Sequence, residues 1–177
     1  SEQLILHAGQ NTPLTIRNYE KKDFDELIDI QAACFPPPFP SSLWWNKEQL
    51  HNHVTLFPEA AICIEINNKV VASLTGVCVD FDLSHPTHTW GEMTAEGYIT
   101  NHNPYGNTVY IVDISVHPLY RSLGLGKLLM HSIYHVVIQK DLERLLGGAR
   151  MPSYYQHANQ LSADEYLQAI VAGKLHD

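Results

Sequence analysis

The stretch of sequence that decides the fold is Tyr110–Leu129, which reads YIVDISVHPLYRSLGLGKLL. Its first seven residues are mostly β-branched or aromatic and predict a strand, which ends at His117-Pro118. From Gly124 onward, leucine, isoleucine and valine recur at helical spacing and predict a helix with one buried face. The stretch therefore predicts a strand, a tight turn and a helix in direct succession.

The turn has the form Arg121-x-x-Gly124-x-Gly126 and predicts an anion site. Small residues between a strand and a helix let successive backbone N–H groups converge, and the positive end of the helix dipole adds to them. Lys127 supplies a further positive charge, so a phosphate or pyrophosphate is the expected ligand. The spacing excludes a P-loop, which needs glycine where Arg121 stands, and a dinucleotide fingerprint, which needs glycine at Leu129.

This stretch closely resembles motif A of the GNAT family of N-acetyltransferases, Gln/Arg-x-x-Gly-x-Gly/Ala after a strand that ends in Val-x-Pro, here Val116-x-Pro118. The resemblance extends over roughly residues 14–150 in the order of elements. It implies an acyl-CoA N-acyltransferase fold, acetyl-CoA as co-substrate and an amine as acceptor. It also implies that pantetheine lies between the motif-A strand and the next strand, Leu142–Ala149.

Working outward, hydrophobic patterns predict the order βααβββαβα, a mixed α/β (α+β) sheet in a single domain over residues 1–177. A first strand is expected at Leu14–Tyr19, after a disordered tail over residues 1–12. Ser41 or Ser42 is expected to cap the second helix, and residues 82–107 form a long loop or partly helical insert. The last helix follows a capping box at Ser162 and is expected to bury Tyr166, Leu167, Ile170 and Val171.

The C-terminal third departs from the family pattern, because no residues are left for the usual closing strand pair. This tail resembles bacterial acetyltransferase domains that can precede a carbon–nitrogen hydrolase domain. We therefore expect either a fragment of a longer chain or a homodimer that protects the strand edge beside Leu142–Ala149.

The resemblance assigns the residues that bind CoA. Backbone groups of the strand would bind pantetheine, and the turn would bind the pyrophosphate. The residues are Ile114, Ser115 and Val116 on the strand, and Arg121, Ser122, Leu123, Gly124, Leu125, Gly126 and Lys127 in the turn.

Direct attack of an amine on the thioester requires a base for the amine proton and an acid for the leaving thiolate. The carboxylates that qualify as base are Asp113 on the strand, and Glu92 and Glu96 in the insert. The family often places a tyrosine beyond the second strand, which makes Tyr154 and Tyr155 the candidates for the acid, with Tyr155 preferred.

Composition narrows the class of protein. Lys and Arg number 11 against 19 Asp and Glu, a net charge of −8 that argues against nucleic-acid and anionic-membrane binding. The three cysteines lack CxxC spacing, which favours a reducing, cytoplasmic location, and the 11 histidines form no ligand set, so no metal is expected. Two alternatives stay open: a non-catalytic acyl-CoA-binding or regulatory module, and a phosphate-ligand protein unrelated to acetyl transfer.

Overall fold

The computed structural model describes residues 1–7 and 10–176, with only the backbone of Leu6 and His7. These residues separate into two compact units, Ser1–Gly147 and Gly148–Asp177. The first unit holds a six-stranded sheet whose strands are β1 (Glu2–His7), β2 (Gln10–Asn18), β3 (Ala61–Ile66), β4 (Lys69–Val79), β5 (Thr108–Val116) and β6 (Arg144–Gly147). Its helices are α1 (Phe24–Cys34), α2 (Lys47–Leu56), α3 (Trp90–Thr94) and α4 (Leu125–Gln139).

The strands lie side by side in chain order, and every neighbouring pair is antiparallel except β5 and β6, which are parallel. The two faces of the sheet are covered by different helices. On β4, Thr75 faces Tyr19, whereas the next residue, Gly76, faces Ile133 of α4 with no room for a larger side chain. β3 and β4 are therefore buried on both faces and form the centre of the core.

β5 and β6 are parallel neighbours, and the pantetheine site that the resemblance implies between them stays a prediction. Their pairing runs from Thr108 opposite Arg144 to Ile111 opposite Gly147 and stops there. β5 continues to Val116, so its last five residues, 112–116, extend beyond the pairing with β6. The mixed sheet, with one parallel pair among antiparallel ones, confirms the predicted fold class.

The N-terminal segment differs from the prediction. Residues 2–7 form the edge strand β1 instead of a disordered tail over residues 1–12, and they pair with residues 10–15 of β2. Backbone pairing and the packing of Ile5 against the core hold this strand in place. The Leu4-Ile5-Leu6 run in the sequence was the available signal.

The start of the second helix also differs from the prediction. α2 begins at Lys47 and is capped by Asn46, whose side chain accepts from Gln49 N while Gln49 returns a bond to Asn46 N. Ser41 and Ser42 instead belong to a short 3₁₀ turn, Ser41–Leu43. Within the insert, α3 has its own capping box at Thr89 and Glu92.

The second unit contains a 3₁₀ turn at Tyr154–Gln156 and the helix α5 (Ala163–Val171), capped by Ser162 and Glu165 as predicted. Tyr166 is fully buried, and the rings of Tyr154 and His157 lie 5.3 and 5.2 Å from its own. The predicted burial of Leu167 and Val171 is wrong, because both are exposed on the uncovered side of the helix. Over residues 148–176 no strand follows β6. A single domain over residues 1–177 stays a prediction.

Candidate active site

The turn before α4 presents open backbone N–H groups. Gly124 is the N-cap at φ +77°, and no side chain caps the helix. Leu128 N donates to Gly124 O, so the N–H groups of Leu125, Gly126 and Lys127 lie ahead of this first helical bond. A Cβ built on Gly124 or Gly126 meets no atom within 4 Å. The two glycines therefore border open space at the positive end of a 15-residue helix, which suits an anion.

Two cations and the end of β5 frame this turn. Arg121 and Lys127 are both exposed. Arg121 Nε lies 3.4 Å from Val116 O, which also accepts from Cys34 Sγ at 3.3 Å. These contacts connect α1, the end of β5 and the turn.

The free stretch of β5 offers its backbone beside the turn. Ile114 is 39% exposed, whereas Ser115 is buried with its hydroxyl directed toward Gln31 of α1. The Ser115 side chain is thus engaged within the protein. The structure brings the predicted CoA residues of β5 and of the turn together at the end of β5 that extends beyond β6.

Asp113 is positioned by a β-bulge in β5. Thr75 pairs with Asp113 but Gly76 pairs with Ile111, so Val112 is the extra residue. The Asp113 carboxylate oxygen Oδ2 accepts from Gln31 Nε2 at 3.0 Å and from Ser115 Oγ at 2.8 Å. Burial raises the pKa of Asp113 to about 6, against the effect of these two bonds. This carboxyl can therefore exchange a proton near neutral pH.

A chain of buried polar groups runs from β4 to the insert. His53 Nε2 lies 2.7 Å from the Gly97 carbonyl oxygen, to which it donates, so the Nδ1 atom of the neutral ring accepts from Tyr19 Oη at 3.0 Å. Tyr19 in turn accepts from Thr75 Oγ1 at 2.8 Å. Burial lowers the pKa of His53 to about 4 and raises that of Tyr19, which keeps both groups neutral.

This chain fixes a strained part of the insert. Ala95, Glu96 and Gly97 all have φ between +49° and +82°, the left-handed region. Gln49 Nε2 donates to Glu96 O at 2.9 Å, beside the bond from His53 to Gly97. α2 thus holds the insert against the sheet through two side-chain bonds to its backbone.

The two glutamates proposed from sequence have different surroundings. Glu92 Oε2 accepts from the backbone N and the hydroxyl of Thr89, both at 2.8 Å, and these bonds lower its pKa. Its carboxylate is committed to capping α3, which disfavours a role as base. Glu96 is exposed, and its carboxylate lies over Gly91. Asp113 is the carboxylate whose setting best fits proton transfer.

The two tyrosines lie in the second unit. Tyr154 Oη donates to Leu161 O at 3.0 Å. Tyr155 is 75% exposed, and its hydroxyl accepts from Gln156 Nε2 at 3.3 Å. Within this unit Tyr155 has the more accessible hydroxyl.

Sequence reasoning missed several residues of this site. Gln31, Tyr19 and His53 belong to no motif, and only the fold brings them to β4, β5 and the insert. The capping box at Thr89 and Glu92 indicates the start of the helix that carries Trp90, but no sequence pattern indicates what Trp90 contacts. Its indole Nε1 donates to Val112 O at 2.9 Å.

A groove of about 490 Å³ lies elsewhere on the first unit. It is lined by Arg17 of β2 and by His131 and His135 of α4, among others, and includes none of residues 121–127. It is therefore distinct from the turn.

Residues 1–7 and 10–176 contain neither a membrane-spanning helix nor a metal-binding cluster. No helix in these ranges is long and apolar enough to cross a membrane. No three or more His, Cys, Asp and Glu side chains there are grouped so as to hold a metal ion.

A solved structure with a similar fold is the GphF GNAT-like decarboxylase in complex with isobutyryl-CoA. It superimposes with a TM-score of 0.73 at 20% identity, over 88% of this chain and 76% of that chain. At this identity the likeness concerns the fold.

Two sequence relatives come from Bacillus subtilis (strain 168). "Uncharacterized N-acetyltransferase YkwB" is 47% identical over 177 residues, 99% of this chain and 78% of the relative. "Probable hydrolase YhcX" is 35% identical over the whole chain, which spans 34% of that protein's length.

The sequence profile of the Acetyltransferase (GNAT) family matches residues 24–158, which include α1, the insert, β5, the turn and α4. This match covers most of the chain and confirms the resemblance of the turn to motif A. The chain belongs to the GNAT family of acetyltransferases.

Proposed function

We propose that the protein is an acetyl-CoA-dependent N-acetyltransferase that acetylates the amine of a small molecule or peptide by direct attack in a ternary complex. The observation that carries the proposal is the turn at residues 121–127, where two glycines leave the first N–H groups of α4 facing open space beside the end of β5. Family membership and the isobutyryl-CoA bound by a protein of similar fold support an acyl-CoA ligand.

The pyrophosphate would bind the backbone N–H groups of residues 124–127, with Arg121 and Lys127 supplying positive charge. Pantetheine would follow the edge of β5 along Ile114, Ser115 and Val116, beyond the last residue that pairs with β6. A backbone amide in this stretch would hold the thioester oxygen as negative charge develops on it.

Asp113 is the proposed base, directly or through a water molecule. The amine nitrogen forms a bond to the thioester carbonyl carbon, its proton passes to Asp113, and the C–S bond then breaks. The departing thiolate takes a proton from an acid, for which we propose Tyr155 because Tyr154 already donates to Leu161 O. The products are an N-acetyl amine and free CoA; Asp113 then releases its proton to solvent, and Tyr155 regains one from solvent.

Incubation of the protein with acetyl-CoA and a panel of amines, with detection of free thiol and of an acceptor mass increase of one acetyl group, tests the proposal. We expect thiol release above the hydrolysis background for at least one amine, and its loss in the Gly126→Val variant. A Gln139→Val variant is the control, because it places the same side chain on the exposed last turn of α4.

A second candidate is an acyl-CoA-binding regulatory module of a larger protein. The observation that favours it is the match to YhcX, in which a region like this chain makes up 34% of the length. Acetyl-CoA binding without thiol release for any amine would support this candidate over the enzyme.

Three sequence predictions stay predictions. They are a cytoplasmic location, the absence of a nucleic-acid partner, and a homodimer or a longer parent chain. Light scattering at several concentrations tests the homodimer directly.

A further inference from the structure

We propose that Trp90 is a positioning residue for the Asp113 carboxyl, acting through the peptide unit that joins Val112 to Asp113. The part of this inference that concerns catalysis rests on the proposed function, in which Asp113 is the base. The link between Trp90 and Asp113 stands on the geometry of the insert and the bulge.

Trp90 contacts the backbone of the bulge directly. Val112 is the extra residue of the bulge, and its carbonyl oxygen accepts from the Trp90 indole Nε1 at 2.9 Å. The Val112 carbonyl and the Asp113 N–H belong to one planar peptide. A bond that fixes the carbonyl therefore fixes the plane from which the Asp113 side chain departs.

Trp90 is itself held by the start of α3 and by its packing against Gly97. Trp90 is the first residue of α3, whose start is fixed by the capping box of Thr89 and Glu92. The far edge of the indole reaches Gly97, where a Cβ would lie 3.1 Å from Trp90 Cη2. Gly97 is itself held by the buried His53. The indole thus lies between the bulge and a fixed point of the insert.

The side chain of Asp113 is held by contacts other than those of its backbone. Gln31 and Ser115 bind its carboxylate, so the residue is held at its backbone by Trp90 and at its side chain by α1 and β5. Loss of the indole N–H removes a bond that holds the bulge peptide, and we expect the peptide to rotate as a result. Rotation would carry the carboxyl away from Gln31 and Ser115 and toward water.

The titratable groups around Asp113 do not change charge near its pKa. Burial raises the pKa of Tyr19 and of Cys34, and the negative charge of Asp113 raises each further. His53, on α2, has a pKa lowered to about 4 by burial. A change in titration near pH 6 therefore reports Asp113.

The test is the titration of the Asp113 side-chain carbon by NMR in the full chain, without ligand, for the wild type, Trp90→Phe and Trp44→Phe. Trp44 is a matched control, because its Nε1 also donates to a backbone carbonyl, that of Phe35 at 3.0 Å. We expect a midpoint near 6 in the wild type and in Trp44→Phe. In Trp90→Phe we expect it to fall by about half a unit or more, since the carboxyl gains contact with water. An unchanged or raised midpoint would overturn the inference.

A second variant and a kinetic measurement complete the test. If Trp90→Phe does not fold by circular dichroism, Thr89→Ala removes the cap of α3 and is expected to lower the midpoint in the same direction. With an acceptor in hand, Trp90→Phe should lower kcat by about tenfold at an unchanged KM for acetyl-CoA. A shifted midpoint with unchanged kcat would contradict the role of Asp113 as base, and a shift in KM alone would contradict the positioning role.

Discussion

The turn at residues 121–127 and the Asp113 site on β5 are built in opposite ways. The turn offers backbone N–H groups and two glycines that border open space, all within seven consecutive residues. The Asp113 site depends on side chains from α1, α3 and β5, which are far apart in the sequence. In the proposed function the turn binds a ligand shared by a whole family, which needs only a local backbone shape. The proposed role of Asp113 in proton transfer instead requires groups fixed from several directions.

Removing the carboxylate is expected to have the largest effect. In Asp113→Asn, kcat should fall by about 10²–10³-fold with little change in the KM for acetyl-CoA, because the amide cannot accept the amine proton. In the wild type, kcat/KM should rise with pH through about 6 and then level off. Steady-state kinetics across pH check both. A variant with full kcat would show that the proton leaves by another route.

Blocking the turn should separate ligand binding from folding. Gly126→Val should weaken acetyl-CoA binding by about 100-fold, because the side chain occupies the place of the pyrophosphate and costs two or more charge-assisted bonds. Stability should change little, since the position is open in the folded chain. Calorimetry and thermal melts measure the two quantities. Equal affinities of this variant and of Gln139→Val would contradict the assignment of the turn.

The two tyrosines differ in accessibility, because Tyr155 is exposed whereas the hydroxyl of Tyr154 donates to Leu161 O. Tyr155→Phe should lower kcat by about 10–100-fold if its hydroxyl protonates the thiolate. Tyr154→Phe should instead cost about 1 kcal/mol of stability through the lost bond to Leu161 O. Parallel kinetics and melts of the two variants decide. Equal loss of activity in both would reject the preference for Tyr155.

Asp113 should also be a site where function costs stability. Its pKa is raised when folded, so ionisation destabilises the native state, and stability rises as pH falls from about 6 toward 3.8. Asp113→Asn should therefore be more stable than the wild type by about 1–2 kcal/mol at pH 8, since the partly exposed carboxyl keeps some contact with water. The gain should vanish near pH 4. Urea unfolding at the two pH values measures it, and a variant less stable at pH 8 would contradict the account.

The pKa of His53 is lowered on folding, so its contribution to stability depends on pH in the opposite direction to that of Asp113. Its pKa is lowered when folded, so its contribution is present above 6.5 and is lost as pH falls toward 4. Because His53 is present in both proteins, it cancels in the difference between Asp113→Asn and the wild type. The slope that remains belongs to Asp113.

The same contrast explains what could be predicted from the sequence. The strand, turn and helix of Tyr110–Leu129 are local, so spacing predicted the turn, and the order of elements predicted the neighbouring strand β6. Gln31 reaches Asp113 across 82 residues, and no periodicity marks such a contact. Glu92 looked like a free carboxylate in a loop, although Thr89-x-x-Glu92 is a capping box that could have been found. The cap of α2 was misplaced for the same reason, because Asn46-x-x-Gln49 was passed over in favour of two serines.

The central claim is that the N–H groups at the start of α4 hold the pyrophosphate of acetyl-CoA. A crystal structure of the full chain with acetyl-CoA tests it most directly. We predict pyrophosphate oxygens within about 3 Å of the backbone nitrogens of Leu125, Gly126 and Lys127, with pantetheine along the free edge of β5. Acetyl-CoA bound in the groove between β2 and α4, with the turn empty, would contradict the account.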